Sequence, residues 1–185
     1  QGRPPFGVSL RVCEEENGVV ESVRDGQQAG HLQIKGHWIV ESYFDQFNNA
    51  LTEDGWFDTG DMATINSDGY MLICDRSKDL IKSGGEWISS VELENIAIAH
   101  PEIDMVAVIA AAHPKWDERP ILIAKKSSIS QVSETEILDY YIGKIAKWQI
   151  PDRVVFVDSI PVGGTGKVLK KDLRATYGSI LLAVE

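Results

Sequence analysis

Arg153-Val154-Val155-Phe156-Val157, then Pro161-Val162-Gly163-Gly164-Thr165-Gly166-Lys167, then Val168 through Arg174, reads as a strand, a glycine-rich loop and a short basic helix. A strand passing through a loop into a helix makes this end of the chain α+β. Glycines beside a lysine let backbone amides and one ammonium approach an anion closely. The stretch is not a Walker A loop. Its first required glycine is Pro161, and the Ser or Thr that should follow the lysine is Val168. A lysine on a flexible tether suggests a group delivered to a site built elsewhere.

Working outward, residues 75–185 carry mixed signals. Ser89-x-x-Glu92 is a capping box that predicts a helix through Ala99, stopped at His100-Pro101. Met105–Ala112 is an apolar run short enough for a buried strand, and Ile121–Lys125 follows as a second. Ser133-x-x-Glu136 opens another helix. It places Ile137, Leu138, Tyr141, Ile142 and Ile145 on one face, with Pro151 as its stop. Arg153–Val157 completes a small three-stranded sheet with flanking helices, expected on one face of it.

Residues 1–74 read as β. Gly7–Cys13, Val19–Val23, Gly30–Lys35, Trp38–Val40 and Tyr70–Cys74 are strand-like, punctuated by Asn17-Gly18, Asp25-Gly26, Asp54-Gly55 and Asp68-Gly69. This density of turns predicts a small antiparallel β subdomain resembling a distorted barrel. The domain boundary is placed at Asp75.

Composition narrows the class. At 43% hydrophobic and 25% charged residues, the chain is that of an ordinary globular protein. A net charge of −10 argues against nucleic-acid partners. No apolar run approaches the roughly 20 residues of a transmembrane segment. Gln1-Gly2-Arg3-Pro4-Pro5 offers no targeting core and reads as a start inside a longer chain. Cys13 and Cys74 are two and far apart, so neither a metal site nor a disulfide framework is expected, and a cytoplasmic setting follows.

Four segments carry chemistry: Gly55-Trp56-Phe57-Asp58-Thr59-Gly60-Asp61, Asp75-Arg76-Ser77-Lys78-Asp79, Ile81-Lys82-Ser83-Gly84-Gly85-Glu86-Trp87, and Gly163–Lys167. Taken singly, each has an ordinary structural reading: a turn, a surface ion pair, a hairpin tip, a connector. In this order and spacing they resemble the C-terminal portion of AMP-forming acyl-CoA synthetases, the adenylate-forming superfamily. The resemblance runs from about Gly7 to Arg174. Lys82–Ser90 and Ala146-Lys147-Trp148-Gln149-Ile150-Pro151 are worded most like fatty-acid and medium-chain acyl-CoA ligases.

The resemblance implies a reaction in which ATP and a carboxylic acid, here a fatty acid, form an acyl-adenylate, from which CoA displaces AMP. It implies that Asp61 holds the ribose hydroxyls, and a carboxylate suits a diol because its two oxygens accept two O–H donors. Arg76 is implied beside ribose and phosphate, where a permanent guanidinium charge is apt. Asp75 matches the hinge about which the small domain rotates. Lys167 matches the adenylation lysine, binding nucleotide and holding the carboxylate oxygen against the α-phosphate. Lys82, Ser83, Gly84, Gly85, Glu86 and Trp87 match the loop that lines the CoA pantetheine path. Trp116 matches a position near the CoA nucleotide, although packing suits Trp87 and Trp116 equally well. His113 is read as structural; His31, His37 and His100 show no pattern.

Two departures stand out. Gly-Glu-Arg-Pro of the family is Asp117-Glu118-Arg119-Pro120 here. The phosphate-binding loop, the aromatic-Gly-x-Thr-Glu segment with its Mg²⁺-binding Glu, and most of an acyl pocket are absent from these residues. Residues 1–74 are thus expected to be the end of a large N-terminal lobe and 75–185 its mobile lid. The missing lobe is the implied partner, and the chain alone is expected to form no acyl-adenylate. Two rivals remain open: an adenylation domain that loads a carrier protein, and a non-catalytic nucleotide- or CoA-binding module.

Overall fold

The computed structural model describes residues 2–14, 24–44 and 50–183. The chain forms two compact units, Gln1–Lys78 and Asp79–Glu185.

The first unit is a four-stranded antiparallel sheet in chain order: β1 (Val8–Cys13), β2 (Gly30–Gly36), β3 (Phe57–Ile65) and β4 (Met71–Arg76). Val12, Leu32, Ala63 and Ile65 form its core. Gly26, Gly55 and Gly69 all take positive φ, so three of the expected Asp-Gly turns behave as their chemistry requires. Trp38–Val40 is a turn rather than a strand, and Trp38 is 81% exposed. The run is too short and too exposed to gain from pairing. Val19–Val23 and Asn17-Gly18 lie outside the described residues.

The second unit holds β5 (Ile81–Ser83), β6 (Glu86–Ile88), α1 (Ser90–Ile98), β7 (Ile103–His113), β8 (Asp117–Lys126), α2 (Glu134–Asp139), β9 (Arg153–Phe156) and α3 (Lys170–Tyr177). The three expected strands are β7, β8 and β9, and the β5–β6 hairpin extends the sheet to five. β7 and β8 pair antiparallel from Ile103 and Lys126 to His113 and Asp117, while β9 runs parallel to β8.

The helices do not share one face. Val108, Leu122 and Val154 point into a core with Leu93 of α1 and Ile137 of α2. Their neighbours Ala107, Ile109, Ile121 and Ile123 point the other way, against Leu173 of α3. Because Met105–Ala112 of β7 and Pro120–Ala124 of β8 are unbroken apolar runs, both faces of the sheet must be covered there. Fully burying a side chain such as Leu93 or Ile121 contributes about 1.5–3 kcal/mol.

Ser89 caps α1 by accepting from the Glu92 amide at 3.2 Å. Ser133 and Glu136 form the full reciprocal box on α2. That helix is shorter than its periodicity predicts. It ends at Asp139, and Gly143 at φ +80° turns the chain away, leaving Ile142 61% exposed. The chain then passes through a 3-10 turn at Lys147–Gln149, so Pro151 does not terminate a helix. Tyr141 is fully buried, its hydroxyl donates to the Leu93 carbonyl at 2.9 Å, and burial pushes its ionisation above the usual phenol range.

Candidate functional site

In the first unit, Thr59-Gly60-Asp61 stands out of the β2–β3 ladder. Between the pairs His31–Met62 and Gln33–Asp58, β2 has one residue and β3 has three. This outward step is a bulge, a device that re-aims side chains. Gly60 bends it at φ +68°, and Thr59 pins it by donating its hydroxyl to the Leu32 carbonyl at 3.0 Å. Asp58 caps the bend by accepting from the Gly60 amide at 2.7 Å.

The bulge brings Asp61 opposite Arg76 on β4, with Arg76 Nε 2.8 Å from Asp61 Oδ1. Arg76 keeps about half its side chain in solvent, so the pair is open on one side. Asp75, one residue earlier, is buried and accepts from the Arg76 amide at 2.7 Å. Cys74 is an extra residue in the β3–β4 pairing, which twists the strand just before these two side chains. Asp61, Asp75 and Arg76 thus form one cluster built on two irregular strands.

In the second unit, β5 and β6 meet through Gly84 and Gly85, at φ +61° and +94°. Two consecutive positive φ angles fit a two-residue hairpin, and only glycine takes both without strain. The Gly84 amide donates to the Trp116 carbonyl at 2.9 Å. A Cβ on Gly84 would lie 2.9 Å from the Trp116 ring, so the indole rests directly on the turn. Lys115 lies over that ring at 4.4 Å, and Lys82 over Trp87 at 5.7 Å. Both indoles remain about half exposed. His113 accepts from the amides of Lys115 and Trp116 at 3.1 and 3.2 Å, holding the β7–β8 turn as a structural histidine would.

Two residues of the Asp117–Pro120 motif, given no role from sequence, brace this hairpin together with Asp152, which was not singled out. Glu118 accepts from the Lys82 amide at 2.9 Å, and buried Arg119 donates to Ser83 Oγ at 3.0 Å. Arg119 also pairs with Asp152, at 2.7 Å from Nη2 to Oδ1. An arginine among apolar residues requires an acidic partner, but Asp152 comes alongside only through the parallel β8–β9 pairing.

Lys167 sits on a third loop, which is tighter than a flexible tether. Gly163 N donates to the Lys167 carbonyl at 2.8 Å, Gly166 N to the Gly163 carbonyl at 2.9 Å, and Leu169 N to the Pro161 carbonyl at 2.9 Å. Val162 and Val168 bridge across the base. The Lys167 side chain is exposed and makes no hydrogen bond or ion pair among the described residues. Three residues on, Lys170 is committed to Glu94 at 2.7 Å and Ser90 at 2.7 Å, and Arg174 to Asp79 at 2.7 Å. Among the described residues no three His, Cys, Asp or Glu side chains are grouped to hold a metal ion. No helix of the described residues is long and apolar enough to cross a membrane.

A family description, AMP-binding enzyme C-terminal domain, matches residues 92–167, from the first turn of α1 to that exposed lysine. The chain belongs to the adenylate-forming superfamily and carries its AMP-binding C-terminal domain. Over 181 residues, 98% of this chain and 33% of the other, it is 56% identical to a 3-methylmercaptopropionyl-CoA ligase of Ruegeria lacuscaerulensis. It is also 56% identical to a medium-chain-fatty-acid–CoA ligase of Ectopseudomonas oleovorans, over 98% of this chain and 33% of that enzyme. The crystal structure of ATP-bound MatB from Rhodopseudomonas palustris superposes with a TM-score of 0.87 at 32% identity, covering 97% of this chain and 36% of that one. The chain therefore spans about a third of the length of the curated relatives it matches. The matched residues 92–167 hold the Trp116 turn and the Lys167 loop, whereas the Gly84-Gly85 hairpin and the Asp61–Arg76 cluster precede residue 92.

Proposed function

We propose that this chain works as part of an AMP-forming acyl-CoA ligase acting on a fatty or medium-chain acid. Lys167 is the observation that carries the reading: an exposed ammonium with no partner among the described residues, on a hydrogen-bonded turn, whereas Lys170 and Arg174 beyond it are spent on ion pairs. An uncommitted charge on a stiff loop can meet the carboxylate oxygen and α-phosphate without first breaking a salt bridge. Such preorganised stabilisation is worth about 10²–10³ in rate.

In this reading Asp61 accepts the ribose hydroxyls while Arg76, already oriented by Asp61, turns its remaining N–H groups to ribose and phosphate. Asp75 serves as the hinge between a β subdomain, residues 1–74, and a lid, residues 75–185. Lys82 through Trp87 border the pantetheine arm of CoA, where two residues without side chains leave room for a thin chain, and Trp116 offers an indole face to the nucleotide. Mg²⁺ and the triphosphate would be held by residues outside this chain, and the reaction would run in the cytoplasm.

The test is a graft. Residues 1–185 replace the matching third of the Ectopseudomonas oleovorans enzyme, and acyl-CoA formation from medium-chain acids is followed. Activity should survive the graft. Lys167→Ala should then cut adenylate formation by about 10²–10³ while sparing thioester formation from preformed acyl-adenylate. A folded but inactive graft, or equal loss of both half-reactions, would refute the reading.

A further inference from the structure

We infer that Arg119 is a positioning residue for the Ser83-Gly84-Gly85 hairpin, and this rests on the reading above in which that hairpin borders CoA. Its guanidinium is buried, at 8% exposure for the residue, and all five of its N–H groups are used. Nε and Nη2 donate to Asp152 Oδ1 at 2.8 and 2.7 Å. Nη1 donates to Ser83 Oγ at 3.0 Å and to the Trp148 carbonyl at 2.5 Å, and Nη2 also donates to the Ile150 carbonyl at 3.0 Å. One planar group on β8 thereby holds the end of β5, the 3-10 turn and the residue leading into β9.

Backbone pairing alone gives this hairpin little hold on the sheet. β5 meets β8 at a single position, Ser83 opposite Asp117. Side chains supply what the ladder lacks: Glu118 takes the Lys82 amide and Arg119 takes the Ser83 hydroxyl. The fork fixes direction as well as distance, because a guanidinium presents its donors in a rigid plane. Lysine has charge but no plane, and cannot serve Asp152, Ser83 and two carbonyls together. A displacement of about 1 Å in groups that position a substrate can cost on the order of 10² in rate.

The experiment uses the full-length protein that contains this sequence. Arg119→Lys and Asp152→Asn are compared with wild type for thermal midpoint, ATP–pyrophosphate exchange, and thioester formation from preformed acyl-adenylate at varied CoA. For Arg119→Lys, exchange should stay within about twofold while KM for CoA rises about tenfold or more. Asp152→Asn should shift KM for CoA in the same direction by less, and it decides the matter if Arg119→Lys does not fold. Parallel loss of both half-reactions with a lowered midpoint would mark Arg119 as merely structural and overturn the inference. So would an unchanged KM in both variants. A wild-type protein that makes adenylate but no CoA thioester would instead show that the ligase reading itself had failed.

Discussion

Lys170 Nζ lies 2.7 Å from Glu94 Oε1, and the same carboxylate oxygen accepts from the Val108 amide at 2.8 Å. Two helices on opposite sides of the sequence are thereby fastened at one point beside β7. The pair is mostly buried, with side-chain exposures of 13% and 21%. Removing one partner leaves the other charge poorly solvated. Lys170→Met should lower stability by about 2–3 kcal/mol, read from denaturant midpoints. A loss below about 0.5 kcal/mol would show that the contact contributes nothing.

Gly84→Ala meets two obstacles at once: a left-handed φ of +61° and the Trp116 ring at 2.9 Å. The expected cost is about 1–2 kcal/mol from the backbone, with more from the indole. A double-mutant cycle separates them. On a Trp116→Ala background the same substitution should cost less, and additive effects would exclude the contact.

Asp117 is the one non-glycine residue with positive φ among the described residues, at +69°. It occupies the place where the family wording has glycine, and it keeps a glycine-like conformation. Aspartate tolerates that region better than branched residues do. Asp117→Gly should therefore change stability by less than about 1 kcal/mol, on the favourable side, whereas Asp117→Val should lose about 1–2 kcal/mol. Thermal denaturation of the two variants checks the order, and a Val variant as stable as wild type would contradict the strain.

Arg11 forks onto Asp54 at 2.6 and 3.1 Å. These bonds, with one from Thr52, lower the Asp54 carboxyl from its ordinary 3.8 to about 2. The folded state therefore binds this proton less readily than the unfolded chain. The stability it adds is present above about pH 4 and is lost as pH falls toward 2. Asp54→Asn should flatten the dependence of unfolding midpoint on pH in that window and leave its shape above pH 5 unchanged. An identical acid limb in both proteins would rule the pair out as its source.

Much of this could be read in advance where local chemistry decides. Ser89 and Ser133 cap helices because a side-chain oxygen satisfies amides that no helix can. Gly84-Gly85 turns a hairpin because two positive φ angles are needed. Harder to read were features that depend on distant partners. The apolar runs of β7 and β8 mark buried strands but not which helix covers which face, and α3 lies opposite α1 and α2. Periodicity extended α2 past Tyr140 because apolar spacing persists there, yet Gly143 ends the regularity and only Ile137 and Tyr141 reach full burial.

Sequence alone determined the α+β class and the three Asp-Gly turns, because these rest on residue type and short spacing, and its motifs carried the family resemblance. Tertiary structure alone decided that Asp61 stands on a bulge facing Arg76, that three backbone hydrogen bonds close the Lys167 loop, and that Arg119 binds Ser83 and Asp152 together. The physical reason is reach. Turns and caps satisfy polar groups within a few residues, but a buried guanidinium finds its partners 33 and 36 residues away, where only sheet pairing brings them.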